Sequence, residues 1–136
     1  MRNSMQSAKK SILVVEDETV VRELIRRILS EAGYDVALAA DVKSAMESIR
    51  GRRPDMILLD IVLPGKSGLE VCRHVRRTPA LKEIPILILS AKGAPADQME
   101  GLQQGADDYL IKPFDPKDVK ARVAFQFLKA ERNKTA

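Results

Sequence analysis

The sequence predicts an α/β fold, a parallel sheet with helices on both faces. Three observations carry this prediction. Short apolar runs recur five times, at Ile12–Val15, Val36–Ala39, Met56–Leu59, Ile86–Leu89 and Tyr109–Ile111. Each run is followed by a stretch whose apolar residues return at helical spacing. The runs also lack polar alternation, as expected of strands covered on both faces. With 136 residues the chain is one domain, long enough for a single core.

The elements follow in order. Ile12–Val15 ends in acid at Glu16-Asp17-Glu18, after which Val21, Leu24, Ile25, Ile28 and Leu29 mark the first helix and Gly33 its stop. Val36–Ala39 leads to Asp41, an N-cap for a helix that buries Ala45, Met46 and Ile49 and closes at Gly51. Met56–Leu59 ends at Asp60. The turn-rich loop Leu63-Pro64-Gly65-Lys66-Ser67-Gly68 precedes a helix with Leu69, Cys72 and Val75 on one side. Ile86–Leu89 follows Pro85 and ends at Ser90. Pro95 suits the first turn of a fourth helix, which is expected to bury Met99 and Leu102 and to stop at Gly105. Tyr109–Ile111 ends at Lys112-Pro113, and Asp115-Pro116 opens a last helix carrying Val119, Val123 and Phe127. Residues 1–9 read as a flexible basic N-terminus, 10–130 as the folded domain and 131–136 as a tail or the start of a linker.

Composition removes several function classes. No apolar run approaches the roughly 20 residues of a membrane helix, and Ile12–Val15 is too short for a signal-peptide core. Cys72 is the sole cysteine and His74 the sole histidine, which excludes an internal disulfide, Cys-rich zinc sites and multi-histidine metal sites within one chain. A lone cysteine fits a reducing, cytoplasmic setting. With no tryptophan, 4% aromatics and a scattered net charge of +4, the chain is not expected to bind nucleic acid directly. Cys72 lies on an apolar stripe and reads as core, whereas His74 reads as solvent-facing, so the two are not a catalytic pair.

The informative pattern is what ends each strand: Glu16 and Asp17, Asp60, Ser90 and Lys112. A parallel sheet gathers these ends at one edge, where ligands of open α/β sheets bind. Clustered carboxylates resist ionising together unless a cation offsets them, and hard oxygen donors suit magnesium. A carboxylate beside a divalent cation, a lysine and a hydroxyl is a chemically reasonable acceptor for a phosphoryl group. Taken singly, each residue has an ordinary reading. Glu16 and Asp17 could open the first helix, Asp60 could be a solvated strand end, Ser90 an N-cap and Lys112 a surface lysine. Their recurrence at the same end of different strands argues for a site.

Over about Lys10–Leu128 the chain resembles the receiver domain of two-component response regulators. The resemblance rests on Ile12–Glu18, Leu58-Leu59-Asp60-Ile61-Val62-Leu63-Pro64-Gly65, Leu89-Ser90-Ala91 and Gly105–Phe114. It implies a flavodoxin-like three-layer α/β/α fold, with five helices around five parallel strands in the order 2-1-3-4-5. It further implies Asp60 as phosphoacceptor, with Glu16, Asp17, Asp60 and the Val62 carbonyl around a Mg2+ or Mn2+ ion. Lys112 matches the family's site lysine, before a cis proline bond, Ser90 the switch hydroxyl and Tyr109 the switch aromatic. The implied donor is a sensor histidine kinase or a phosphotransfer protein, and the implied recipient an output domain or partner protein. The resemblance makes the chain a switch that catalyses nothing beyond its own phosphorylation and dephosphorylation. Its helix4-strand5-helix5 face would change as Ser90 moves and Tyr109 turns inward. A weak phosphorylation-dependent homodimer is expected through that face, with Asp108 and Arg122 pairing across it.

Two other function classes share part of this pattern. A haloacid-dehalogenase-type phosphatase also uses an aspartate nucleophile, but it needs a second acid two residues later, where this chain has Val62. A flavin- or nucleotide-binding module needs a Gly-rich phosphate loop, which Gly65–Gly68 is not. Phe127–Arg132 keeps helix-forming composition, similar to linkers that lead to output domains. A stand-alone receiver and the front module of a longer regulator both fit.

Overall fold

A computed structural model describes residues 9–135, so the expectation of a flexible stretch at residues 1–9 falls almost wholly outside the described residues. The elements are β1 (Ser11–Val15), α1 (Thr19–Glu31), β2 (Asp35–Ala39), α2 (Val42–Gly51), β3 (Met56–Leu59), α3 (Leu69–Arg77), β4 (Ile86–Ser90), α4 (Pro95–Gln103), β5 (Asp108–Ile111) and α5 (Pro116–Thr135). The five strands form one sheet in the order β2-β1-β3-β4-β5, and every pairing is parallel. This is the flavodoxin-like order the sequence led us to expect.

Strand side chains alternate faces, and here both faces are covered. On one face Leu13, Val15, Ile57, Leu59, Ile86 and Ile88 pack with Ala45 and Ile49 of α2 and Val71, Cys72 and Val75 of α3. On the other, Ile12, Val14, Leu58, Leu87 and Leu89 meet Ile25 and Leu29 of α1 and Val119 and Val123 of α5. Continuous apolar runs are therefore required in β1, β3 and β4, because consecutive residues enter different cores. Asp41 caps α2 as expected, its carboxylate accepting from the Ser44 amide at 2.8 Å. Gly33 ends the first helical unit at φ +99°, a left-handed conformation that favours glycine.

Two apolar expectations fail. In α4 Met99 and Leu102 are exposed rather than buried, at 59% and 47%. The buried residue there is Gly101. A Cβ at Gly101 would lie 2.8 Å from Ile88 Cδ1 and 3.1 Å from the Tyr109 ring, so the helix rests directly on those side chains. Close approach at a glycine turns the flanking large residues outward. In α1 Leu24 is also exposed, although Ile25, Ile28 and Leu29 are buried. His74 is half-buried rather than fully solvent-facing. Helix α5 continues through residues 131–135, so that stretch is helical.

The ladder continues one residue past the strand ends and fixes the site's backbone. Glu16 N donates to Ala39 O at 3.0 Å, Asp60 N to Val15 O at 2.9 Å and Lys112 N to Ser90 O at 2.8 Å. Each polar residue is thereby tied to its neighbour strand at the carboxyl edge of the sheet.

Candidate functional site

At that edge Lys112 lies between two buried carboxylates. Its Nζ donates to Glu16 Oε1 at 2.5 Å and to Asp60 Oδ2 at 2.8 Å. Glu16 is 1% and Asp60 5% exposed. Their remaining oxygens are also engaged, Asp60 Oδ1 by the Val62 amide at 2.9 Å and Glu16 Oε2 by the Glu18 amide at 3.1 Å. The Lys112-Pro113 bond is cis. Exposed Asp17 completes a triad with Glu16 and Asp60, each contributing a carboxylate oxygen within 4.8 Å of the others.

Burial pushes the Glu16 carboxyl above its ordinary pKa, outweighing the opposing pull of Lys112 and the Glu18 amide. Burial also works against the Lys112 ammonium, but its hydrogen bonds to Asp60 and Glu16 prevail and the net shift is upward. Lys112 is therefore a permanent positive charge at neutral pH. One ammonium does not neutralise three carboxylates, and Glu18 Oε1 approaches it at 3.9 Å as a further negative group. Three hard oxygens with surplus negative charge and no nitrogen or sulfur donor are a set suited to Mg2+ or Mn2+.

Ser90 is fully buried at the end of β4, and its Oγ accepts from the Lys92 amide at 3.2 Å. Tyr109 lies on β5, 7% exposed, and its hydroxyl donates to the Lys92 carbonyl at 2.5 Å. The ring lies inward here, where Gly101 leaves room for it and the Lys92 carbonyl accepts from its hydroxyl. The Asp108–Arg122 pair is likewise formed within the chain, at 3.0 Å. Arg122 on the first half of α5 reaches Asp108 at the start of β5 directly.

A family model described as the response regulator receiver domain matches residues 12–124. The chain belongs to this family. The receiver is 45% identical over 114 residues to the phosphate regulon transcriptional regulatory protein PhoB of Pseudomonas aeruginosa, a match covering 84% of this chain and 50% of that protein. It is 42% identical over 119 residues to the DNA-binding response regulator MtrA of Mycobacterium tuberculosis, covering 88% and 51%. The receiver thus spans about half the length of these curated relatives. A crystal structure of a putative response regulator from Chloroflexus aurantiacus superposes with a TM-score of 0.84 at 37% identity, covering 88% of this chain and 98% of that one.

Two residues that position the site escaped the sequence reading. Arg22 of α1 reaches back, its Nη1 donating to the carbonyls of Glu16 at 2.9 Å and Asp17 at 3.2 Å, and so braces the acidic turn. Gly68 packs on the Asp60 loop itself. A Cβ there would lie 2.3 Å from the Asp60 carbonyl oxygen and 2.8 Å from Ile61 Cα. The sequence marked the Gly65–Gly68 loop as a turn, but nothing in local spacing reveals which backbone it touches. For Arg22 the signal was its place one turn into the helix behind the acids.

Proposed function

We propose that the receiver accepts a phosphoryl group on Asp60 from the phosphohistidine of a sensor histidine kinase or a phosphotransfer protein. The observation that carries this is the Asp60 carboxylate, buried yet held between the Lys112 ammonium and the Val62 amide beside two further acids. An Asp60 oxygen attacks phosphorus, the new bond is Asp60 O–P, and the broken P–N bond leaves its electron pair on the donor imidazole. Glu16, Asp17, Asp60 and the Val62 carbonyl would hold a divalent cation, which would supply charge neutralisation for the phosphoryl oxygens. Lys112 turns from its carboxylate partners to a phosphoryl oxygen, and Ser90 donates its hydroxyl to another. The attacking oxygen belongs to the carboxylate that Lys112 holds at 2.8 Å. The receiver turns over no other substrate: Val62, two residues after Asp60, has no proton to transfer.

The response leaves through α4, β5 and α5. A phosphoryl group adds nearly two negative charges and three acceptor oxygens beside Ser90. Drawing Ser90 toward them acts on the Lys92 peptide, which Ser90 and Tyr109 grip from its amide and carbonyl sides. Residues 10–130 form this switching unit, and 131–136 lead from it. By likeness to relatives named as transcriptional and DNA-binding regulators, the output is transcriptional and the receiver works in the cytoplasm, without itself contacting nucleic acid. The test is labelling with acetyl phosphate and Mg2+. Wild type acquires acid-labile phosphate and Asp60→Asn acquires none; undiminished labelling of the variant overturns the assignment.

A further inference from the structure

A cavity among the described residues lies away from Asp60. It measures about 490 Å3 and is lined by Arg53, Arg76, Lys82, Lys129, Gln126 and Asp107 among others. Arg53, Pro85 and Asp107 precede β3, β4 and β5, so the cavity sits at the amino edge of the sheet. A strand of five residues separates it from the carboxyl edge by roughly 16 Å.

Its charges are unevenly spent. Arg76 is saturated, donating to the carbonyls of Gly105, Lys82 and Ile84 and pairing with Asp107 at 2.8 Å. Asp107 also accepts from the Ile86 amide. Arg53 uses its Nε on the Ala80 carbonyl. Lys82 and Lys129 have no ion pair among the described residues, and against these three cations Glu83 is the one carboxylate not already paired. The second observation is Gln126. It is 4% exposed, lines the cavity, and its side-chain amide has no hydrogen-bond partner among the described residues. A buried amide without partners is costly, and a ligand in the cavity supplies them.

We propose that this cavity binds a small organic anion carrying at least two negative charges, which the cations hold while the Gln126 amide donates to one of its oxygens. The volume falls within the range of small-molecule sites. Because Gln126 and Lys129 belong to α5 while Lys82 and Pro85 lead into β4, the bound anion clamps the far half of α5 to the sheet. The ligand class embraces phosphate esters and polycarboxylates, which share this chemistry.

The test is 15N NMR of the full chain without divalent metal, titrated with pyrophosphate, with citrate and with chloride at matched ionic strength. The expected result is saturable movement of the Gln126 side-chain amide by pyrophosphate or citrate, retained in Asp60→Asn. Gln126→Leu, followed at the Lys129 amide, and Lys129→Glu, followed at the Gln126 side chain, each weaken it at least tenfold. Retention in Asp60→Asn separates this site from the phosphoacceptor. A tenfold preference for pyrophosphate points to phosphate esters, and the reverse to polycarboxylates. Non-saturating shifts that chloride reproduces, or unchanged affinity in either charge or amide variant, overturn the proposal. Thermal melts of both variants confirm folding; if Gln126→Leu is unfolded, Lys129→Glu alone decides.

Discussion

At the scale of single residues, chemistry here is set by what surrounds a side chain more than by its type. Glu16 and Lys112 are ordinary ionisable groups, but burial and mutual contact fix both in one arrangement. Val62 shows the converse. It is half exposed beside Asp60 and offers no hydrogen-bonding side chain, so it cannot orient a hydrolytic water. Val62→Asn is expected to shorten the phosphoprotein lifetime several-fold, as timed by loss of acid-labile phosphate. An unchanged or longer lifetime would contradict this role. Cys72 is inert for a similar environmental reason. Burial pushes its thiol up to about 11 from an ordinary 9. An acid whose folded pKa is raised is protonated in the fold when it would ionise in the unfolded chain. The fold therefore loses stability as pH rises from about 9 to about 11, by roughly 2 to 3 kcal/mol from this group. Denaturant melts across that window should show a loss that Cys72→Ala largely removes, and native protein at pH 8 should resist thiol alkylation.

At the scale of elements, two glycines decide how loops and helices meet the sheet. Gly101 allows α4 to rest on Ile88 and Tyr109, which is why the large residues of that helix face outward. Its crowded neighbours are side-chain atoms, which can shift. Gly68 is less forgiving, because the atoms a Cβ would strike belong to the backbone of Asp60 and Ile61. Its own φ of −60° suits any residue, so the demand is steric alone. Gly68→Ala should cost about 1 to 3 kcal/mol of stability, as overpacking does, and should slow phosphorylation by acetyl phosphate. A variant with wild-type melting and labelling would show that the loop yields without consequence. The apolar pair Met99 and Leu102 marks α4 in the sequence but points to the wrong side as the buried one, since the glycine that meets the sheet carries no hydropathy signal.

At the scale of the whole molecule, the face formed by α4, β5 and α5 exposes Met99, Leu102, Ile111 and Phe125. Lys120 of α5 brings a charge among these apolar groups, which keeps the patch weak. The Asp108–Arg122 pair within the chain lies on the same face, so any cross-interface pairing has to share or exchange it. Rim charges add specificity more than affinity. Beryllofluoride, a phosphoryl mimic, is expected to induce self-association with a dissociation constant on the order of 100 μM, in the range of weak transient contacts. Sedimentation reads this directly. A chain that stays monomeric at millimolar concentration with the mimic bound would leave the face to other partners.

The sequence by itself determined the fold class, the five strands and the residues that end them, because strand burial on both faces and polar strand ends are written in local order. Asp60, Glu16, Asp17 and Lys112 were all legible this way. Tertiary structure alone decided that Lys112 bridges Glu16 and Asp60, that Tyr109 lies inward, that Gly68 supports the Asp60 backbone and that Gln126 is buried against a cationic cavity. Each of these depends on the distance between segments remote in sequence, and periodicity reports which way a residue faces along its own element but never what stands opposite.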